Sequence, residues 1–261
     1  MKFIEIDGRL VCYRDHGSTD APAVLFAHPL GMSQAVWDEV IDGLDGSFRT
    51  VSWDLPGHGA SASVDTKLTA AHLASQALSL ADALAVDRFH FVGTSIGGVI
   101  GQQLLCQAPG RLNNVVLTNT GPVIGSPQAW AERATAVRSQ GLAAMADSIS
   151  ARWFGKALAV REPSARPGWA LQLAHTDAES YARCCELLAE ADFRGLLAGR
   201  SAGPIRLVAG DEDVATPVSS LETLGDELGG APVEMLSGVG HVPSVEAPAA
   251  LCERLPGWLA V

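Results

Sequence analysis

The stretch Gly93-Thr94-Ser95-Ile96-Gly97-Gly98 decides the fold of this 261-residue chain. It follows an apolar run at residues 88–92 and precedes a helical pattern over residues 99–107. A serine two residues from a glycine on either side, on a sharp turn from strand to helix, presents its hydroxyl at the end of a sheet. The glycines are needed because the turn is strained and the strand and helix approach closely. The stretch therefore predicts a nucleophile at Ser95.

Outward from this turn, short apolar or β-branched runs alternate with helical patterns. This alternation predicts an α/β fold with a mostly parallel eight-stranded sheet and helices on both faces. The predicted strands are residues 3–6, 10–14, 23–27, 49–53, 88–92, 112–118, 205–209 and 233–236. The predicted helices in the first half of the chain are residues 34–44, 70–84 and 99–107.

One long segment departs from the alternation. Residues 123–200 show only helical patterns, and they are flanked by the chain-breaking pairs Gly121-Pro122 and Gly203-Pro204. We expect a core domain made of residues 1–122 and 201–261, with residues 123–200 inserted as a helical cap.

Composition excludes several classes of partner. A net charge of −11 argues against nucleic acid, which needs a basic face. No apolar run reaches about 18 residues, so no membrane span is expected. Five irregularly spaced cysteines and an N-terminus without a signal-peptide pattern favour the cytoplasm. Neither a metal-ligand spacing nor a nucleotide-binding glycine motif is present, so no metal and no cofactor are expected.

An attacking serine needs a base, and the base needs an orienting acid. Hydrolases with this turn carry nucleophile, acid and histidine in that chain order. Downstream, residues 205–209 lead into a loop that contains Asp211, Glu212 and Asp213, and the strand 233–236 precedes His241. Both loops follow strand ends, where parallel sheets place their ligand sites. We expect His241 as the base, with the acid among the three carboxylates.

Several motifs together resemble the 3-oxoadipate enol-lactonases of the α/β-hydrolase superfamily, over nearly the whole chain. The elbow and the Asp54-Leu-Pro-Gly-His-Gly59 loop are shared by many hydrolases, whereas the cap motifs carry the family assignment. The matching segments are 28–31 with Trp37, 51–59, 93–98, 117–121, Trp130, 152–154, 181–185 and 191–192.

The resemblance implies that the protein hydrolyses 3-oxoadipate enol-lactone to 3-oxoadipate in the degradation of aromatic compounds. It favours Asp213 as the acid, through the superfamily pattern Gly-x-x-Asp-x-x-Thr-Pro. The backbone N–H of Ile96 is expected to form one half of the oxyanion hole. Superfamily members usually have glycine where this chain has Pro29, which cannot donate, so we assign the second donor to Leu30. We interpret His28 as a brace for this loop.

The implied substrate is a small anionic lactone, although the protein is acidic. The cap segment is nearly balanced, with nine basic and eight acidic side chains in residues 123–200. Local arginines are therefore expected to bind the substrate carboxylate, because a planar guanidinium suits it. We nominate Arg133 and Arg138, which share a predicted helix with Trp130, a further candidate substrate-binding residue.

Two alternatives remain open at this stage. The same triad serves other capped hydrolases, namely carboxylesterases, carbon–carbon bond hydrolases and cofactor-free perhydrolases of the haloperoxidase type. A ligand receptor or scaffold that kept the fold for binding alone is the alternative from another functional class.

Overall fold

The computed structural model describes residues 1–44, 46–200 and 203–260, and its centre is one eight-stranded sheet. The strands lie in the order β1-β2-β4-β3-β5-β6-β7-β8; β2 is antiparallel to both of its neighbours, β1 and β4, and all other neighbouring strands are parallel. They are β1 Lys2–Ile6, β2 Arg9–His16, β3 Ala23–Ala27, β4 Arg49–Trp53, β5 Phe89–Thr94, β6 Leu112–Thr118, β7 Ile205–Gly210 and β8 Val233–Leu236.

The four central strands explain the continuous apolar runs in the sequence. Every residue of β3, β4 and β5 is buried, as is nearly all of β6. Strands covered by helices on both faces require apolar side chains in succession instead of alternation. The edge strand β1 is largely exposed, as expected for a hairpin at the margin of the sheet.

The strand order creates a crevice at the carboxyl ends of the central strands. Strand β3 pairs with β4 on one side and with β5 on the other, so the connections leave β3 and β5 in opposite directions. Such a switch in strand order is where parallel sheets bind their ligands. The loop at residues 28–33 and the turn at Ser95 both leave the sheet at this crevice.

Helices cover the sheet and form the inserted segment. Among the described residues of the cap segment (residues 123–200) there are five helices and no strand. Outside it the helices are α1 Asp38–Gly43, α2 Ala70–Ala83, α3 Ile96–Gln107, α9 Val218–Glu227, α10 Pro243–Glu246 and α11 Pro248–Leu259. In the cap segment they are α4 Pro127–Gln140, α5 Leu142–Ser150, α6 Lys156–Arg161, α7 Ala165–Ala174 and α8 Ala178–Glu190.

The fold class predicted from the sequence is confirmed, with one local difference. The predicted helix 34–44 is divided into a 3₁₀ turn at Gln34–Trp37 followed by α1. Gln34 is buried and bound through its backbone and side chain to Asp54, so these tertiary contacts set the first turn. The proposed boundary at residue 201 and the terminus at residue 261 lie outside the described residues. No helix among those described is long and apolar enough to cross a membrane.

Candidate active site

Ser95 stands on the turn between β5 and α3 with an unusual backbone. Its φ is 60° and its ψ is −115°, a combination that costs energy for a residue with a side chain. The turn is held by hydrogen bonds from the Ser95 N–H to the Thr118 carbonyl (3.0 Å) and from Thr120 Oγ1 to the Ser95 carbonyl (3.0 Å). Neighbouring β6 and the loop after it thus stabilise the strained residue.

The two glycines around Ser95 permit close backbone contact. A Cβ at Gly97 would lie 2.3 Å from the Ala27 carbonyl oxygen at the end of β3, and one at Gly93 would lie 2.4 Å from the Gly97 carbonyl oxygen. Neither distance is tolerable for a carbon atom. The helix α3 can therefore begin beside the end of β3 only with glycine at these positions.

Asp213 and His241 meet at the ends of two parallel strands. Asp213 follows β7, His241 follows β8, and His241 Nδ1 lies 2.8 Å from Asp213 Oδ2. Thr216 Oγ1 and Asn119 Nδ2 donate to the same carboxylate oxygen, at 2.6 Å and 2.9 Å. The backbone N–H groups of Ala215 and Thr216 donate to Oδ1. The carboxylate is therefore fixed before any reaction begins.

This environment keeps Asp213 ionised and sets the tautomer of His241. Burial by itself raises the pKa of Asp213, but the His241 charge and the hydrogen bonds from His241, Thr216 and Asn119 hold it well below its usual range. An ionised carboxylate only accepts hydrogen bonds, so His241 Nδ1 carries a proton. In the neutral imidazole, Nε2 is then free to accept a proton from a hydroxyl.

The other two carboxylates of this loop have different partners. Asp211 accepts hydrogen bonds from Ser237 Oγ (2.9 Å) and the Gly238 N–H (2.6 Å). Glu212 accepts the Lys156 N–H at 2.7 Å. Neither makes the contact with the His241 ring that Asp213 makes.

A cavity of about 110 Å³ joins Ser95 and His241. Both side chains line it, although the structure contains no hydrogen bond between Ser95 Oγ and the His241 ring, both of which it describes. In structures without substrate, the hydrogen bond between a nucleophile and its base is often long or poorly aligned. The large apolar side chains that line the cavity are Leu30, Ile124, Trp130, Ile149 and Trp153.

The loop after β3 borders this cavity through Leu30. The Gly31 N–H is taken by His58 Nε2 at 3.1 Å, and Pro29 has no N–H. The Leu30 N–H has no acceptor among the described residues, and Leu30 lines the cavity. Ile96 is the first residue of α3, whose opening N–H groups have no partner within the helix. The arrangement leaves Leu30 and Ile96 as available donors.

Two buried histidines brace this loop reciprocally. His28 accepts the Leu55 N–H at Nε2 (3.0 Å) and donates from Nδ1 to the Pro29 carbonyl (2.8 Å). His58 accepts the Gly31 N–H and lies 2.9 Å from the Pro56 carbonyl through Nδ1. Burial lowers the pKa of His28, and burial together with His28 lowers the pKa of His58 to about 3. Both rings are neutral and structural in this arrangement.

Of the two nominated arginines, only Arg133 reaches the cavity. Its guanidinium lies over the Trp130 indole, 5.0 Å from the ring centroid, and forms no salt bridge with any described residue. Arg138 does not line the cavity, because its guanidinium is bound to Glu179 and Glu186 on α8. The nomination of Arg138 as a substrate-binding residue is therefore corrected by the structure.

The cavity also contains side chains that the sequence did not assign to substrate. Arg152 lines it while donating to the Val214 carbonyl (2.9 Å), and Tyr181 lines it at 1% exposure. Arg152 and Tyr181 lie within motifs that carry the family resemblance, which was the available signal. Within the described lining there are two arginines and no carboxylate. No cluster of metal-ligating side chains occurs in the part of the chain that the structure describes.

The chain is similar to known proteins in both sequence and fold. The pattern of the alpha/beta hydrolase family matches residues 24–254. The chain is 34% identical to 3-oxoadipate enol-lactonase 2 of Acinetobacter baylyi, over 91% of this chain and 88% of the relative. It is 28% identical to 3-oxoadipate enol-lactonase 1 of the same organism, over 97% and 94%. The crystal structure of the enol-lactonase from Burkholderia xenovorans LB400 superposes with a TM-score of 0.94 at 30% identity, covering 99% of each chain.

Proposed function

The chain belongs to the alpha/beta hydrolase family, and from this premise we propose that it hydrolyses the ester bond of 3-oxoadipate enol-lactone to give 3-oxoadipate. Its relationship to the enol-lactonases makes it a hydrolase of lactones or esters. The observation that carries the proposal is the cavity in which Ser95, the Asp213-bound His241 and an arginine without a carboxylate partner all meet.

Acylation begins when Ser95 Oγ attacks the lactone carbonyl carbon. His241 Nε2 takes the hydroxyl proton, and Asp213 stabilises the imidazolium that forms. The negative charge on the carbonyl oxygen is bound by the N–H groups of Leu30 and Ile96. When the tetrahedral intermediate collapses, the ring ester bond breaks, and His241 returns the proton to the enolate oxygen.

Deacylation repeats these steps with water. His241 removes a proton from water, the hydroxide attacks the acyl carbon, and Ser95 Oγ leaves with the proton. The released enol converts to the ketone. This tautomerisation removes the nucleophile that would re-form the lactone, so the reaction proceeds toward the open acid.

Charge in the cavity supports an anionic substrate. Arg133 and Arg152 line it without any carboxylate among the described lining residues. A guanidinium that borders the cavity and faces no carboxylate there is available to pair with a substrate carboxylate. We assign the substrate carboxylate to Arg133, whose planar group is held on Trp130.

The test is to supply the enol-lactone and follow its disappearance by ultraviolet absorbance, with wild type, Ser95→Ala and Ser139→Ala. Ser139 is an exposed serine on α4 and serves as the matched control. We expect turnover by wild type and Ser139→Ala, and a loss of about 10³-fold or more in kcat for Ser95→Ala.

Three outcomes contradict the proposal in different ways. Hydrolysis of p-nitrophenyl acetate without hydrolysis of the enol-lactone favours another capped hydrolase with the same triad. Full activity of Ser95→Ala contradicts the role of Ser95 as nucleophile. Tight ligand binding without turnover of either ester favours a receptor.

A further inference from the structure

Glu246, the last residue of α10, is a buried acid that the steps above do not use. It is 5% exposed and forms no salt bridge with any described residue. Its carboxylate instead accepts three backbone N–H groups. Oε2 binds the N–H groups of Gly155 (2.7 Å) and Gly240 (2.8 Å), and Oε1 binds that of Val242 (2.9 Å).

The three donors come from two separate parts of the molecule. Gly240 and Val242 are the residues on either side of His241, whereas Gly155 belongs to the cap segment. A buried carboxylate is stable only when its oxygens are hydrogen-bonded, and bonds to an ionised acceptor are stronger than neutral ones. The carboxylate of Glu246 thus fixes the backbone on both sides of His241 through hydrogen bonds.

Direct backbone contact joins the same two segments. The His241 N–H donates to the Trp153 carbonyl at 2.7 Å. A Cβ at Gly240 would lie 2.6 Å from the Gly155 nitrogen and 3.0 Å from the Trp153 carbonyl oxygen, so the two backbones leave no space for a side chain. The Trp153 side chain lines the cavity. The histidine loop (residues 240–242) and the segment 153–155, which forms one wall of the cavity through Trp153, are therefore in direct contact. We call this contact the junction.

We propose that Glu246 is a positioning residue for His241, and that its carboxylate holds the histidine loop and the Trp153 wall of the cavity in one fixed relation. The inference rests on the proposed role of His241 as base. Nothing in it requires Glu246 to touch the substrate. Small displacements of a base relative to its nucleophile have large effects on rate, so the expected consequence of a loosened junction is a slower chemical step.

Glu246→Gln is the informative substitution, because it keeps the size of the side chain. A glutamine has a single acceptor oxygen, and its NH₂ group would face at least one of the three backbone donors. The matched control is Glu253→Gln on α11, which removes the same charge from a side chain that is 81% exposed. Gly155→Ala disturbs the junction from the cap side, since its Cβ would lie 2.9 Å from the Gly238 carbonyl oxygen.

Three readouts are compared with wild type: kcat and KM for the enol-lactone, kcat for p-nitrophenyl acetate, and the rate constant for inactivation by a fluorophosphonate. The last two report the activation of Ser95 by His241 without the lactone. For Glu246→Gln we expect kcat and the inactivation rate constant to fall about tenfold or more, with KM within about threefold and circular dichroism unchanged. Glu253→Gln should match wild type, and Gly155→Ala should show the same pattern as Glu246→Gln.

The proposal is overturned if Glu246→Gln keeps kcat and the inactivation rate constant within about threefold of wild type, or if both fall only in proportion to the folded fraction. If Glu246→Gln does not fold, the same criteria applied to Gly155→Ala decide. If wild type hydrolyses p-nitrophenyl acetate but not the enol-lactone, the substrate proposal fails, while the inactivation rate constant still tests Glu246.

Discussion

Asp213 accepts five hydrogen bonds, and their donors come from three separate loops. Ala215 and Thr216 lie in its own loop, Asn119 follows β6, and His241 follows β8. Asn119 has a positive φ of 47°, and its amide nitrogen reaches both Asp213 and the Gly240 carbonyl. These contacts distinguish Asp213 from the adjacent Asp211 and Glu212.

The two aspartates of this loop should therefore respond differently to the same change. Asp213→Asn should lower kcat by about 10³–10⁴-fold, because an amide no longer holds the His241 tautomer or stabilises the imidazolium. Asp211→Asn should keep kcat within about threefold, since its partners are Ser237 and Gly238. Steady-state kinetics on the enol-lactone measures both. Equal losses in the two variants would contradict the assignment of the acid.

Arg133 and Arg138 provide a second comparison on one helix. Arg133→Ala should raise KM for the enol-lactone by about tenfold or more with a smaller effect on kcat, because it removes the proposed partner of the substrate carboxylate. Arg138→Ala should leave KM within about twofold, because its guanidinium is bound to Glu179 and Glu186 away from the cavity. Measurement of KM at fixed ionic strength checks both. A KM that rises only in Arg138→Ala would place the anion site elsewhere.

At the scale of elements, the geometry of the candidate site depends on how closely α3 approaches β3. The helix begins beside the carbonyl of Ala27, the last residue of β3, and the loop with Leu30 leaves from the same strand end. The distance between Ser95 and the Leu30 N–H is therefore governed by backbone packing between a strand and a helix. Glycine at position 97 is a condition for that packing.

Gly97→Ala should lower both the stability of the protein and its kcat. Its Cβ would lie 2.3 Å from the Ala27 carbonyl oxygen, so helix and strand must separate. We expect a loss of about 1–3 kcal/mol in the free energy of unfolding, typical of an overpacked core, and a lower kcat. Urea unfolding measures the first quantity. Gly110→Ala is the control, since a Cβ there meets nothing within 4 Å, and a similar loss in that variant would argue against the packing explanation.

At the scale of the whole molecule, the candidate site is lined both by residues of the cap segment and by residues outside it. Leu30, Ser95 and His241 come from the core, whereas Trp130 and Arg133 come from the cap segment. The cap segment carries nine basic and eight acidic side chains within a protein of net charge −11. The proposed binding of an anionic substrate therefore depends on the positions of single arginines and not on the overall charge, which repels an anion.

Stability of the whole molecule should decrease in mild acid because burial lowers the pKa of three histidines, His28, His58 and His90. His58 has a pKa of about 3 when folded, against about 6.5 in an unfolded chain, so the unfolded state binds the additional proton. The contribution of such a histidine to the free energy of unfolding is then fully present above about pH 6.5. It decreases as the pH falls toward 3, by up to about 1.4 kcal/mol per pH unit for each such group. His28, whose pKa is also lowered by burial, acts in the same direction.

Urea unfolding across this pH range, with wild type, His58→Asn and His72→Asn, measures the effect. His58→Asn should show a weaker pH dependence of the free energy of unfolding than wild type. His72 is exposed, and His72→Asn should follow the wild-type curve. An unchanged pH dependence in His58→Asn would contradict this explanation.

The sequence by itself determined the α/β fold class, the strained turn at Ser95 and the two loops that carry His241 and the three candidate acids. These follow from short-range patterns, because apolar runs, glycines and turn residues constrain the backbone within a few positions. The family resemblance favoured Asp213 among the three carboxylates, but its contact with His241 is seen only in the tertiary structure. Only the tertiary structure decided that Glu179 and Glu186 bind Arg138 away from the cavity, and that Glu246 binds the backbone on both sides of His241. A side chain's partner is set by packing between segments far apart in the chain, and local residue patterns contain no record of it.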